Sequence, residues 1–247
     1  LSNSGRIMVV GLGPGDPAYM TYRAREALMS SDVIVGYKTY IDLVREIVPG
    51  KPLVSSGMRR EVDRAREALG LAGEGKAVSI ISSGDPGVYG MAGLVLELVA
   101  AMDGDAPEVE IIPGVTAILA AAARLGAPLM HDFAVISLSD LLTPWAKIED
   151  RLEAAARSDM VIVLYNPRSK GRPDHLEKAC EIISRFRQES TPVGLVRNAM
   201  RGDEERTLCQ LGQLPYEKVD MLTVVVVGNS QTRNIGDWIV TPRGYRV

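Results

Sequence analysis

The sequence predicts an α/β protein of two domains, with a largely parallel sheet in the first half and a mixed sheet in the second. Three observations predict this. Short β-branched runs alternate with helical patterns along the 247 residues, the order that builds parallel sheets. Glycine or proline turns stand directly after the most apolar runs, where connections leave such a sheet. Near the end, two strand patterns follow each other with no crossover helix between them, which points to antiparallel pairing.

Taken in order, the strand patterns of the first half are 6–12 (RIMVVGL), 32–36, 51–56, 77–82 and 109–114. Their apolar residues run on without alternation, as in strands covered on both faces. Helical patterns fill 21–31, 39–48, 59–72 and 91–102. In the third, Val62, Ala65 and Leu69 fall on one face, Arg64, Arg66 and Glu67 on the other, and Gly73 and Gly75 end it. An alanine-rich helix then runs to Gly126. The second half reads as strand 133–139, helix 144–157, strand 160–166, helix 174–187 and strand 193–199, and it closes on strands 206–214 and 223–229, expected to pair antiparallel. The boundary falls near 114–130 and is drawn here as 1–114 and 115–247.

Composition excludes several function classes. The chain carries 46% hydrophobic and 24% charged residues, a globular balance. A net charge of −3 and 5% aromatics argue against nucleic acid as a partner. Two cysteines, Cys180 and Cys209, and two histidines, His131 and His175, are too few for a cysteine zinc site, an iron–sulfur ligand set or a three-histidine centre; no metal site is expected. Cys180 falls among Leu176, Ala179 and Ile183 and reads as a small core residue. No apolar run reaches 18 residues and the opening LSNSGRIMVVG lacks a signal pattern, so a soluble cytoplasmic protein with no membrane partner is expected.

The 24 glycines and 14 prolines collect in four places. GLGPGDP (11–17) follows the first strand. Residue 16 is Asp where a dinucleotide fingerprint needs its third glycine, and no GKS or GKT ending makes a triphosphate loop; a ligand loop and a tight turn both remain open. SSGDPGVYG (82–90) follows the fourth strand, and Asp85 either accepts hydrogen bonds from a ligand or caps a helix. IIPGVTA (111–117) puts Thr116 at a helix start, as cap or ligand contact. LYNP (164–167) ends a strand at Pro167, leaving Asn166 in a turn before Arg168, Lys170 and Arg172. Four such turns over two α/β halves favour an enzyme with its site between domains.

Together, GLGPGDP, SSGDPGVYG, IIPGVTA and HDFAVISLSDLLTPWAKIEDRLEAAARSDMVIVLYNPRSKGR resemble the tetrapyrrole (corrin/porphyrin) methyltransferases. The last block resembles the branch that methylates carbon 17 of precorrin-3B in cobalamin (vitamin B12) biosynthesis. The resemblance covers essentially the whole chain. It implies a two-domain tetrapyrrole methylase fold, usually a homodimer, that binds S-adenosyl-L-methionine in an interdomain cleft and releases S-adenosyl-L-homocysteine. The implied substrate is a partly methylated, polycarboxylate tetrapyrrole, methylated at carbon 17 while the ring contracts. Its aerobic version is metal-free precorrin-3B and its anaerobic one carries cobalt; a sibling enzyme acting at another ring carbon is the further alternative. With two cysteines, the compact form is expected rather than that of anaerobic relatives with a cysteine-rich segment.

The same resemblance places roles on residues. Cofactor contacts match Ser83, Gly84, Asp85, Val88, Thr116, Ala117, Tyr165, Asn166, Asn198 and Ala199. Gly13, Gly15 and Asp16 match the substrate-side loop, and Arg59, Arg60, Arg168 and Lys170 would clamp substrate carboxylates. Ring contraction moves protons, for which His131 is the first candidate catalytic group; Asp16 and Asp140 are further candidates, with Asp132 and Ser139.

Overall fold

The structure, a computed structural model, describes residues 5–57 and 60–246. The chain folds as two compact units, Leu1–Thr116 and Ala117–Val247.

In the first unit, β1 (Arg6–Gly11), β2 (Val33–Tyr37), β3 (Leu53–Ser56), β4 (Ala77–Ser82) and β5 (Glu108–Ile112) form one parallel sheet in the order β3-β2-β4-β1-β5. Between them run α1 (Tyr22–Ser30), α2 (Lys38–Val44), α3 (Glu61–Gly73) and α4 (Ala92–Ala100). Because successive side chains of a strand point to opposite faces, the apolar strands feed two cores. Met8, Val10, Ile34 and Ile81 pack with Ala24, Ala27 and Leu28 of α1 and Ile41 and Val44 of α2. Ile7, Val9, Val35, Val78 and Ile80 pack with Ala65, Ala68 and Ala72 of α3 and Val95 of α4. Each fully buried large side chain contributes about 1.5–3 kcal/mol. Thr21 starts α1 by accepting a hydrogen bond from the Ala24 N–H at 3.1 Å, a cap worth about 1 kcal/mol.

One assignment in α3 is corrected. Arg64, expected on the outer face, is buried, while Val62 is exposed. The Arg64 guanidinium donates to Ser56 Oγ at 2.9 Å and to the Gly57 carbonyl at 3.0 Å and lies over the Tyr37 ring. A long stem with a satisfied head can enter a core where a short polar group could not.

In the second unit, the main sheet holds β7 (Phe133–Ser137), β8 (Val161–Tyr165), β9 (Pro192–Arg197), β10 (Glu205–Gln210) and β11 (Thr223–Val227), ordered β10-β9-β11-β8-β7. β7 and β8 are parallel, and β11 runs antiparallel to both β8 and β9. The mixed sheet is therefore as expected, but its pairing is not. β10 and β11 do not pair with each other; β9 lies between them, antiparallel to each. The connection after β10 passes through two short 3₁₀ turns, Leu211–Gln213 and Tyr216–Lys218, which carry the chain past β9. Residues 211–214, expected as strand, include the first of these turns.

α6 (Trp145–Arg157) and α7 (His175–Ser184) cover one face of this sheet through Ile148, Leu152, Leu176, Ala179, Cys180 and Ile183. Burial pushes the Cys180 thiol up to about 12, consistent with a core residue. α5 (Ala117–Leu125), the alanine-rich helix, packs against β9 and β11. Gly194 in β9 makes room there: a Cβ on it would stand 2.4 Å from a Leu125 methyl. A third, small sheet joins β6 (Gly126–Ala127), β12 (Arg233–Ile235) and β13 (Trp238–Val240). Strands of two or three residues carry no readable alternation.

Candidate functional site

At the carboxyl edge of the first sheet, β1 and β4 are neighbours whose connections diverge, one toward α1 on one face and the other toward α4 on the opposite face. Such a divergence is where open α/β sheets place ligands. The GLGPGDP and SSGDPGVYG loops meet there backbone to backbone: Gly84 N–H donates to the Gly13 carbonyl at 2.7 Å and Gly13 N–H to the Gly84 carbonyl at 3.1 Å. The PG turn after β5 closes on the same point. A Cβ on Gly114 would stand 2.1 Å from the Gly84 carbonyl oxygen, and one on Gly11 would stand 2.7 Å from it. Glycine is demanded by loop-on-loop approach.

Asp85 staples these loops. Its Oδ1 accepts from Gly87 N–H at 2.8 Å and its Oδ2 from Gly114 N–H at 3.1 Å. Asp16 accepts from Ala18 N–H at 2.8 Å and caps the short 3₁₀ turn Pro17–Tyr19. Asp16 thus caps a tight turn, whereas the helix-cap alternative for Asp85 fails: α4 begins only at Ala92 with no side-chain cap, and Asp85 instead bridges two loops. Gly13 and Gly15, both at positive φ, and Ser83 and Val88 share this edge. Arg60 stands just before α3, exposed, with its Nε 3.0 Å from Asp63 Oδ2. Arg59 lies outside the described residues. Thr116 and Ala117 follow the PG turn, Ala117 being the first residue of α5.

The second unit's edge is built from side chains. β7, β8 and β9 point the same way, so Ser137–Asp140, Tyr165–Arg172 and Arg197–Met200 gather at one rim, with Asp220–Leu222 leading into β11. Asn166 and Asn198 both take left-handed conformations directly after their strands, at φ 51° and 50°, which asparagine tolerates better than most residues. The Asn166 amide donates to Ser137 Oγ at 2.9 Å; Asn198 N–H donates to the Leu222 carbonyl at 3.1 Å, and Ala199 follows it, buried. Arg172, only 7% exposed, reaches the Leu138 carbonyl at 3.1 Å, the Asn166 carbonyl at 3.5 Å and Met221 Sδ at 3.3 Å. One guanidinium thereby ties the loops after β7 and β8 to the approach to β11.

Arg168 donates to the Tyr216 carbonyl at 2.6 Å, and Lys170 sits in the turn closed by Ser169 and Arg172. Both line a hollow of about 490 Å³ with Ser169, Pro173, Asp220 and Met221. Arg197 Nε lies 2.8 Å from Asp220 Oδ2. Burial pushes the Asp220 carboxyl up, but Arg197 and the Leu222 and Thr223 donors together hold it below its ordinary value.

Of this unit's candidate proton-transfer groups, His131 and Asp140 are not brought together. Asp140 lies on the rim just described. His131 precedes β7 at the opposite end, with the five-residue strand, about 13 Å from first to last Cα, between them. It is exposed, with its Nδ1 accepting from Asp132 N–H at 2.9 Å. What Asp140 meets instead is His175, the first residue of α7, whose Nε2 lies 3.0 Å from Asp140 Oδ2. Sequence reasoning used His175 only to count ligands. A signal was available: it follows a strand–loop–helix junction on the same side as the LYNP turn. Among the described residues no helix is long and apolar enough to cross a membrane.

Fold and rims define a class: two-unit α/β proteins presenting glycine loops and polar side chains at the carboxyl ends of their strands. Within that class, the chain belongs to the tetrapyrrole (corrin/porphyrin) methylase family, whose model matches residues 6–215. It is 51% identical over 239 residues to the probable cobalt-factor III C(17)-methyltransferase of Salmonella typhimurium, covering 97% of this chain and 99% of that protein. It is 42% identical to the precorrin-3B C(17)-methyltransferase of a Sinorhizobium species, covering 98% of each. The crystal structure of the methyltransferase CobJ superposes with a TM-score of 0.91 at 41% identity, covering 97% of this chain and all of that one. A uroporphyrin-III C-methyltransferase from Thermus thermophilus, solved with S-adenosylhomocysteine, matches with a TM-score of 0.71 at 25% identity over 91% of this chain and 97% of that one.

Proposed function

We propose that this chain transfers a methyl group from S-adenosyl-L-methionine to carbon 17 of a tetrapyrrole, precorrin-3B or its cobalt-bearing counterpart, with contraction of the ring in cobalamin biosynthesis. The observation that carries this reading is the end-to-end match, at 51% identity, to a relative named for that position. A sibling activity at another carbon finds less support, since the CobJ structure superposes far better than the uroporphyrin-III enzyme.

The residues present fit such a cofactor in kind, with peptide groups of the glycine loops and the side-chain amides of Asn166 and Asn198 at strand ends. Ser83, Gly84, Asp85, Val88, Thr116, Ala117, Tyr165, Asn166, Asn198 and Ala199 are the proposed contacts. When bound, the cofactor supplies an electrophilic methyl on a sulfonium sulfur. What the chain supplies is alignment, an effect worth up to roughly 7–11 kcal/mol in favourable intramolecular cases. In this reading Gly13 and Gly15 border the substrate, while Arg60, Arg168 and Lys170, with Arg59, bring positive charge to its carboxylates. A protein of net charge −3 needs such local cations to hold a polyanion.

The test supplies purified protein with methyl-labelled cofactor and, separately, precorrin-3B and the cobalt-bearing analogue. Label at carbon 17 by nuclear magnetic resonance, with release of S-adenosylhomocysteine, is the expected result. No label in either tetrapyrrole refutes the reading, and label at another carbon hands it to the sibling activity. The reading includes a homodimer in the cytoplasm, checked by sedimentation and by cell fractionation.

A further inference from the structure

Asp140 differs from the other carboxylates bound on its rim. Asp220 is taken up by Arg197, the Leu222 N–H and the Thr223 hydroxyl, and Glu204 by Arg124 and the Met200 N–H. Among the described residues Asp140 meets a single side-chain donor, His175, and its carboxylate is otherwise bonded to its own backbone N–H. It stands two residues after Leu138, whose carbonyl shares the Arg172 guanidinium with that of Asn166, so its backbone is anchored to the strand ends.

His175 is held as firmly. Its side chain is 13% exposed, and the Trp145 ring packs edge-on against it at 4.6 Å between centroids. Its Nδ1 is buried with no partner among the described residues. An orphaned buried nitrogen destabilises a fold and calls for an explanation. A carboxylate can only accept, so the Nε2–H tautomer donates to Asp140 and leaves Nδ1 as the bare acceptor. The ring is thus placed to serve the carboxylate.

We propose that Asp140 is the proton acceptor of the ring-contracting step and that His175 is its positioning residue; this rests on the reading given under Proposed function. In the step, an O–H or C–H bond of the substrate breaks and its electron pair stays on the substrate. The proton passes to Asp140, which becomes a neutral acid and later returns it to solvent. Arg172 is the charged group that faces Asp140, beside the His175 donor; the His175 hydrogen bond most strongly, and Arg172 more weakly, hold its carboxyl below the ordinary value. His175 therefore favours the ionised form of Asp140 and fixes the direction of its carboxylate.

The experiment reads methyl transfer (S-adenosylhomocysteine release) and contraction (contracted product by absorbance and mass) separately, each as a function of pH. Asp140→Asn should keep methyl transfer and lower contraction by about 100-fold or more, the range of general acid–base catalysis. For His175→Ala, contraction should fall about tenfold, with its acid limb moved to higher pH because the carboxylate has lost its main donor. His175→Gln, which keeps a donor, should restore most of both, a rescue that a merely structural role would not give. Adding His175→Ala to Asp140→Asn should cost nothing more. An unmoved acid limb in His175→Ala, undiminished contraction in Asp140→Asn, or additive losses would each overturn the proposal. If His175→Ala does not fold, the near-isosteric Asp140→Asn and His175→Gln variants decide it by the same criteria. A wild-type protein that methylates neither tetrapyrrole overturns the functional reading as well, a failure distinct from turnover with an unmoved limb.

Discussion

At the carboxyl edge of the Leu1–Thr116 unit, three loops are held chiefly by peptide groups, with Gly13 and Gly84 bonded to each other and Gly11 and Gly114 pressed against the Gly84 carbonyl, and the Asp85 carboxylate adds a side-chain staple. At the corresponding edge of the Ala117–Val247 unit, the loops are held by side chains: Arg172 across three segments, Asn166 on Ser137, His175 on Asp140, Arg197 on Asp220. Peptide contacts leave no room for variation in side chain, while side-chain contacts can be exchanged one at a time. The difference follows from the residues at the strand ends. In the first unit the connections diverge, and glycines after β1, β4 and β5 let the backbones touch before they part. In the second unit the strand ends carry asparagine, aspartate and arginine, whose side chains span the gaps.

The largest effect that can break this comparison is expected from Gly114→Ala. Its Cβ would meet a carbonyl oxygen that is itself hydrogen-bonded, so the backbone must move; a loss of about 3 kcal/mol or more is expected, read from the urea midpoint. Next is Arg172→Leu, which leaves the Leu138 and Asn166 carbonyls without their donor at a cost of about 2–4 kcal/mol. Arg172→Lys should recover only part of it, because an ammonium lacks the planar fork that reaches several acceptors. Hydrogen exchange localised to 138–140 and 166–172 checks both.

A smaller effect comes from acid. Asp220 and Asp159 of the second unit are each held below the ordinary range. Burial raises them, but Arg197 with its neighbouring donors in one case, and Ser230 and Arg187 in the other, outweigh it. Asp140 is held down chiefly by His175. Carboxylates so held add stability above their unfolded pKa, about 4, and lose it as pH falls through their lower folded values. The second unit should therefore loosen below about pH 4, and both tryptophans, Trp145 and Trp238, belong to it, so intrinsic fluorescence reports it. Asp220→Asn should flatten that acid transition. Glu110 and Asp42 of the first unit are also held below the ordinary range, by Arg23 and by Lys38 with Arg45, so acid acts on both units and Asp220→Asn isolates the second unit's share. The smallest effect is expected at Gly202→Ala, where a Cβ would meet nothing within 4 Å; a change within about 0.5 kcal/mol is expected, in contrast to Gly114.

Much of the fold was legible. The strands of the first half are unbroken apolar runs because both faces of a parallel sheet are covered, and turns after them are marked by glycine because backbones meet there. Other features were not legible. Arg64 was read by its charge, while the fold uses its stem and satisfies its head on Ser56 and Gly57. The separation of β10 from β11 by β9 is a matter of pairing, which no local pattern encodes. Of the candidate site, turn residues mark the loops after β1, β4, β5 and β8 as strand ends, while Asn198 and Ala199 were placed by resemblance alone. His131 was favoured over His175 because it adjoins the HDFAVISLSD block, and adjacency in sequence says nothing about which end of a strand faces Asp140.

By itself the sequence determined the alternation of strands and helices, the parallel first sheet, the positions of the glycine loops and the family, because periodicity, turn residues and motif order are local properties of the chain. Tertiary structure decided the order of strands in the second sheet, the burial of Arg64 and Arg172, the stapling role of Asp85 and the partnership of His175 with Asp140. Each of these depends on residues far apart in sequence meeting at a defined distance. A hydrogen bond 3.0 Å long across 35 residues is set by how strands align, which only the folded chain fixes.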